Sequence, residues 1–257
     1  MISKAKIKFI KSLEHKKYRL KEQAFLVEGA KAVEELLPTM RPRLLVHTPQ
    51  WVLPMGCCAP EEVVSVTEEE MQRVSMLQHP QTVLAVFPLL PSTYAVAPVA
   101  ATNNLTVVLD GVQDPGNLGT IVRTADWLGV RQIVCSPDTV DIYNPKVVQA
   151  TMGSLARVQV CYTALPQWLD SLPNGLPVFG TFLDGQNLYE MPVVAQQAGV
   201  IVMGNEGKGI SEAVAQKVTH HITIPTFPEG ATTVESLNVA VATAITLAEF
   251  RRRQRCR

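Results

Sequence analysis

Three short segments of this sequence carry residue types suited to holding an anion and a small polar ligand. In LDGVQDPGNLGTIVRTADWLGV, residues 109–130, Leu118, Ile121, Val122, Ala125 and Leu128 recur at helical spacing and define one buried face, while Thr120, Arg123 and Trp127 fall on another. Pro115 and Gly116 read as the turn before that helix and Asn117 as its cap. A helix start that follows a strand end presents free backbone N–H groups and a partial positive charge, a combination that suits phosphate. Arg123, two turns in, can add a bidentate guanidinium fork to the same anion. An ordinary strand, turn and helix with a surface arginine reads the same way, so this segment alone decides nothing.

The second segment is IVMGNEGKGISEAV, residues 201–214, with three glycines in six residues just past an apolar run. Such glycines allow a ligand to approach the backbone closely. The spacing is neither that of a Walker A loop nor G-x-G-x-x-G, which argues against ATP and dinucleotides. A plain glycine-rich turn with Ser211 near the start of the next helix would account for everything here except Glu206. In the third segment, residues 222–253, a strand ends at Pro225, a loop crosses Pro228 and Gly230, and a long helix starts at Glu235 or Ser236. Val239, Ala242, Ile245, Leu247 and Ala248 should face inward, and Ser236 and Asn238, polar at an otherwise apolar helix start, read first as caps.

The elements that must position these segments follow from the hydropathy pattern. Apolar, β-branched runs at 105–109, 132–135, 158–161, 178–182, 200–203 and 222–224 alternate with helical stretches, the pattern of a mostly parallel α/β sheet covered on both faces. In such sheets ligands sit beyond the carboxyl ends of the strands, where all three segments lie. A proline-bearing stretch at 88–104 reads as a linker with its boundary near 98–104, giving domains over 1–98 and 104–257. Ahead of it, strands over 25–28, 44–48, 63–67 and 82–87 and helices over 30–37 and 68–77 suggest a small α/β module.

With 257 residues, 47% hydrophobic and mean hydropathy +0.12, the chain can bury a sizeable core. Lys+Arg and Asp+Glu balance at 23 each, so any polyanion must be met by local charge. Residues 1–25 supply it, with eight Lys/Arg against Glu14 and Glu22, as does the closing RRRQRCR with five arginines; solvated helix faces are the competing explanation. Five cysteines without a C-x-x-C pair fit neither a disulfide framework nor a zinc site and point to a reducing cytoplasm; no run of residues is apolar enough for a membrane span.

Taken in order, NLGTIVRTA, IVMGNEGKG and IP…ESLNVAVA closely resemble the three signature motifs of the SpoU (TrmH-like) RNA ribose 2′-O-methyltransferases of the SPOUT class, over roughly residues 105–253. SLEHKKYRLKEQAFLVEGAKAVEELL resembles the small L30e-like module that many members use to seat ribosomal or transfer RNA. The stretch 224–236 is a few residues longer than the usual third motif. The resemblance implies a deep trefoil knot in the carboxyl-terminal domain, a bent S-adenosylmethionine on the second and third motif loops, and a homodimer. Carried over, it places Gly204, Ile224 and Leu237 around the cofactor with Thr181, Phe182 and Leu183 as a further wall, and gives Asn117, Arg123, Glu206, Ser236 and Asn238 the polar active-site positions.

The implied reaction is methylation of a ribose 2′-hydroxyl in RNA, with ribosomal RNA favoured by the extra amino-terminal module. It requires no metal, because the sulfonium already activates the methyl group. A guanidinium, with pKa above about 12, suits a phosphate clamp and oxyanion stabiliser better than a base, which is the part expected of Arg123. Two other readings compete: a non-catalytic RNA-binding or ribosome-assembly factor that keeps the fold, and a nucleotide-phosphate-binding α/β protein.

Overall fold

The computed structural model describes residues 2–90, 93, 104–191, 198–228 and 234–255, without the side chain of Arg255. Most of the expected linker, the third-motif loop around Gly230 and Cys256 lie outside the described residues. The chain divides into two compact units, Met1–Leu90 with Asp141–Ala156 and Pro91–Val140 with Arg157–Arg257. The reading as domains over 1–98 and 104–257 took no account of the segment Asp141–Ala156, which groups with the first unit.

In the first unit, α1 (Lys4–Ser12) and α2 (Lys16–Glu22) precede β1 (Ala24–Glu28), α3 (Ala30–Leu36), β2 (Leu44–His47), β3 (Val63–Ser65), α4 (Glu68–Val74) and β4 (Val83–Pro88). The sheet order is β1-β4-β2-β3, antiparallel except for the β2/β3 pair. Helix α4 begins with a capping box in which Thr67 Oγ1 accepts from Glu70 N–H and Glu70 accepts from Thr67 N–H. Its neighbours in the core include Ile10, Leu13, Leu26, Leu84 and Val86.

Helices α1 and α2 are the elements that the lysine-rich pattern concealed. Ile10 and Leu13 are fully buried, so the basic amino end is an integral part of the core. Arg19 is buried as well, at 3% exposure. Its Nη1 donates to the Leu13 and Glu14 carbonyls at 2.9 and 2.7 Å, and Nε and Nη2 donate to Asp141 Oδ2 at 3.2 and 2.6 Å. Five hydrogens in a fixed fork can satisfy a turn and a carboxylate together, which a lysine could not do.

The second unit holds β5 (Leu105–Leu109), α5 (Pro115–Trp127) and β6 (Gln132–Cys135). After α6 (Pro145–Thr151), which belongs to the first unit, come β7 (Gln159–Tyr162), α7 (Leu165–Asp170), β8 (Val178–Asn187), β9 (Gly199–Met203), α8 (Glu212–Ala215), β10 (His220–Thr223) and α9 (Val239–Arg255). All pairs in the order β10-β8-β9-β5-β6-β7 are parallel. The central strands are buried along their whole length, as continuous β-branched runs require when helices cover both faces.

Two features of this unit bear on the site. Strand β8 pairs with β9 only as far as Gly180, and its partner in β10 jumps from Gly180 to Gln186 between His221 and Ile222. Residues 181–185 therefore bulge out of the ladder where a regular strand was expected to end. Helix α9 starts at Val239, later than the expected Glu235 or Ser236, and its buried face is Val239, Ala240, Thr243, Thr246 and Leu247; Ala248 is exposed, and Ala242 and Ile245 are half-buried.

Two arginines of the carboxyl-terminal stretch, Arg251 and Arg253, are committed to structure. Arg251 donates from Nε to the Leu128 carbonyl at 2.6 Å and from Nη2 to that of Gly129 at 3.0 Å, capping the end of α5. Arg253 donates to the Met191 and Leu188 carbonyls, both at 2.7 Å. Hydrogen bonds from Arg252, against the opposing effect of burial and with help from Arg253, hold the Glu249 carboxyl down at about 2. Arg251 and Arg253 therefore spend guanidinium hydrogens on the fold, whereas Arg252, paired with Glu249, keeps an exposed side chain.

Candidate active site and cofactor pocket

The first motif is built around a helix start one turn earlier than its sequence suggests. Asp114, not Asn117, is the N-cap of α5: its Oδ1 accepts from Asn117 N–H at 2.8 Å, and Pro115 and Gly116 form the first turn. Proline suits that position because its missing N–H would have had no partner there. The Asn117 side chain is thus free for another task. Its Nδ2 donates to Glu206 Oε1 at 3.0 Å, and its Oδ1 accepts from Asn238 Nδ2 at 2.9 Å.

Glu206 and Asn238 complete a chain across all three motifs. Glu206 also accepts from the Gln113 and Asp114 N–H groups at 3.3 and 3.2 Å. Asn238 Oδ1 accepts from Ala240 and Val241 N–H at 2.9 and 3.3 Å, which makes Asn238 the cap of α9. An ionised carboxylate only accepts, so Glu206 fixes which end of Asn117 faces it, and Asn117 in turn fixes Asn238. Burial pushes the Glu206 carboxyl up, but hydrogen bonds from the Asn117 amide and the Asp114 and Gln113 N–H groups outweigh it, so it titrates below the usual carboxylate range.

The second-motif loop turns back on itself. Asn205 and Gly209 exchange both backbone hydrogen bonds at 2.9 Å, Asn205 Oδ1 accepts from Gly207 and Lys208 N–H, and Asn205 Nδ2 donates to the Gly111 carbonyl at 2.6 Å. A Cβ on Gly204 would lie 2.2 Å from Gly209 C and 2.3 Å from Ile210 N, so this approach admits only glycine. Asp110, at the end of β5, accepts from Ser211 N–H at 2.7 Å and ties the far side of the loop to the first motif.

These loops and the β8 bulge enclose a cavity of about 610 Å³. Thr181, Phe182, Leu183, Gly204, Glu206, Ile224, Ser236 and Leu237, all expected at the site, stand on its wall. Asn117 and Asn238 adjoin it through Glu206 and are not on the wall. Arg123 is brought neither to the wall nor to this chain; it is exposed on α5 and makes no hydrogen bond or ion pair among the described residues. Ser236 lines the cavity and caps nothing. Sequence reasoning missed Asp184, Lys208 and Glu235 on the wall, and Asn205 and Asp110 as loop organisers. Asn205, inside the glycine-rich segment, had a signal in its type, since asparagine readily bonds backbone N–H groups two and three residues on.

The cavity fits the methyl donor that the sequence resemblance implies. Its volume is that of a cofactor site. Leu183, Met203, Ile224, Leu237 and Val239 offer apolar surface to a purine and to the alkyl groups on a sulfonium, Thr181 and Thr223 offer hydroxyls, and Asp184, Glu235 and Lys208 match a zwitterionic amino-acid end. Gly204 leaves room for a ligand directly against the backbone. Among the described residues no group of three or more His, Cys, Asp and Glu could hold a metal ion, and no helix is long and apolar enough to cross a membrane.

Known proteins agree with this architecture. The profile of the SpoU rRNA Methylase family matches residues 104–248 and that of the MRM3-like substrate binding domain matches residues 4–85. Over 250 residues, 96% of each chain, the sequence is 33% identical to the 23S rRNA (guanosine(2553)-2′-O)-methyltransferase RlmP of Bacillus subtilis (strain 168). The fold superposes on an RNA methyltransferase-type structure of the TrmH family from Porphyromonas gingivalis with TM-score 0.84, 46% identity and 98% and 99% coverage of the two chains. It also superposes on an AdoMet-bound rRNA methyltransferase from Sinorhizobium meliloti with TM-score 0.81, 29% identity and 98% and 96% coverage. The chain belongs to the SpoU rRNA methylase family.

Proposed function

We propose that this protein methylates a ribose 2′-hydroxyl of RNA with S-adenosylmethionine as donor, that its natural substrate is ribosomal rather than transfer RNA, and that it works as a homodimer in the cytoplasm. The observation that carries this reading is the chain from Glu206 through Asn117 to Asn238, which closes three loops around one cavity of cofactor size. The non-catalytic alternative is not favoured, because the full-length relative is an rRNA 2′-O-methyltransferase and the cavity has the volume of a cofactor site. The RNA preference draws on the ribosomal substrate of the full-length relative and on the amino-terminal module matched over 4–85. Residues 1–98 would seat the RNA and residues 104–257, with the implied knot, would carry the chemistry.

The donor, held by Thr181, Phe182, Leu183, Gly204, Ile224 and Leu237, supplies an activated methyl group on a sulfonium. The chain's own task is then positioning, which can recover about 7–11 kcal/mol of a barrier. Arg123 clamps a phosphate beside the target ribose and stabilises the developing 2′-oxyanion. Ser236, Asn117 and Asn238 hold the ribose, Asn238 also holds the start of α9, and Glu206 keeps the first and second motif loops in register. A second copy of the chain would cover Trp127, 90% exposed on the outward side of α5 that also bears Arg123, and Val241, 48% exposed on α9.

Mapping 2′-O-methyl groups in RNA from cells with and without the gene tests the substrate. One ribosomal position should lose its methyl group while the transfer RNA map stays the same; an unchanged ribosomal map would refute the assignment.

Glu206→Gln places an amide where three donors converge on a carboxylate. Methyl transfer should fall by about tenfold to 100-fold, as a displacement of about 1 Å at a positioned group can cost 10²-fold. The pH dependence has a fixed sign. A carboxyl held below its usual range stabilises the fold above its unfolded pKa and loses that contribution as pH falls through the lowered value. The melting-temperature gap between wild type and Glu206→Gln should therefore be full at neutral pH and close in acid. A gap that persists in acid, or that opens only there, would contradict this account.

A further inference from the structure

The outward side of α2 carries groups that neither the core of its unit nor the cofactor cavity uses. Arg19 alone among residues 16–22 is buried, while His15, Lys16, Lys17, Tyr18, Leu20 and Lys21 are exposed. Tyr18 and Leu20 are each 39% exposed. The rings of His15 and Tyr18 have centroids 6.3 Å apart and planes tilted by 54°, so they are not stacked face to face. Among the described residues Lys16 and Lys17 form no ion pair, and Lys21 reaches Glu22 only at 4.0 Å. On α1, Lys4, Lys8 and Lys11 add exposed positive charge, whereas Lys6 is paired with Glu62.

Lysines solvate a helix without any need for an exposed tyrosine between them. A protein partner is a poor match, because interfaces between proteins are depleted in lysine. An RNA duplex offers phosphates but no open base face, since its bases are stacked and paired. A single strand offers both phosphates and open faces, and proteins that hold one combine cationic side chains with an aromatic ring under the base. The platform is also held in place from behind: buried Arg19 ties α2 to the Leu13 and Glu14 carbonyls and to Asp141, so little order would be lost on binding.

We propose that an unpaired nucleotide of the RNA substrate stacks on Tyr18, with Lys16, Lys17 and Lys21 on its flanking phosphates. This rests on the RNA-methylation reading and adds to it a specific contact outside the cofactor cavity. Fluorescence anisotropy of the full-length protein with a labelled 12-nucleotide uridine strand and with a 12-base-pair RNA duplex tests it, using wild type, Tyr18→Ala and Tyr18→Phe. Tyr18→Ala should weaken single-strand binding by about 5-fold to 150-fold, the range of one base-aromatic stack. Tyr18→Phe should bind as wild type, duplex binding should be the same for all three, and calorimetric affinity for S-adenosylmethionine should not change. Single-strand binding by Tyr18→Ala equal to wild type, or an equal loss on the duplex, would overturn the proposal while leaving the RNA reading intact. Failure of the wild type to bind either RNA would overturn both.

Discussion

Gly204→Ala is expected to abolish measurable binding of S-adenosylmethionine. The new Cβ would sit 2.2 Å from Gly209 C and 2.3 Å from Ile210 N, and both are backbone atoms that cannot rotate aside. The turn from 204 to 210 must open, which breaks the Asn205–Gly209 pair, shifts Asn205 off the Gly111 carbonyl and displaces Glu206 from the first-motif loop. Overpacking of this kind costs about 1–3 kcal/mol or more even where neighbours can relax. Gly207→Ala is the matched control on the same loop, because its Cβ would meet nothing closer than Asn205 Oδ1 at 3.8 Å. Calorimetry should show no heat for Gly204→Ala, whereas Gly207→Ala, which also lines the cavity but brings its Cβ against no backbone atom, should keep measurable affinity. Wild-type affinity in Gly204→Ala would mean that the close approach at this turn does not shape the cavity.

Arg123→Lys should separate catalysis from cofactor binding. Arg123 is exposed, has no partner among the described residues and stands off the cavity wall, so its replacement should leave stability within about 0.5 kcal/mol and donor affinity unchanged. Lysine keeps the charge and loses the planar fork. Turnover at saturating donor should fall roughly 100-fold or more, the scale seen when one oxyanion donor is removed. Near-normal turnover would leave the clamp role without support, and a parallel loss of donor affinity would instead put Arg123 in the cavity.

Much of this architecture was legible in the sequence because buried parallel strands leave continuous β-branched runs, as in β5, β6 and β9. The buried face of α5 was equally plain: Leu118, Ile121, Val122 and Ala125 are fully buried, and Thr120, Arg123 and Trp127 face outward. What escaped the sequence depended on partners distant along the chain. Arg19 looks like one more cation of a basic stretch until Asp141, 122 positions away, accepts its hydrogen bonds. Glu206 had no visible purpose because the N–H groups it accepts from belong to residues 92 and 93 positions earlier.

Helix starts were misplaced for a local reason. Asp114 and Asn117 are both able caps at the first motif, and Pro115 decides for Asp114 by fitting the first turn. Ser236 and Asn238 compete in the same way before α9, and only Asn238 reaches the Ala240 and Val241 N–H groups. The helix is also turned so that Ala248 faces solvent and two threonines join the buried face, where Thr243 returns its hydroxyl to the Val239 carbonyl at 2.7 Å. The β8 bulge had no sequence signal strong enough to read, yet it is what brings Thr181, Phe182, Leu183 and Asp184 to the cavity.

The central claim is that this cavity delivers a methyl group to a ribose oxygen of RNA. The most direct measurement incubates the purified full-length protein with methyl-labelled S-adenosylmethionine and unmethylated ribosomal RNA, then digests the product to nucleosides. The label is predicted in a 2′-O-methylated nucleoside, resistant to alkaline cleavage at its 3′ side. Label confined to a base, or no label in RNA at all, would contradict it.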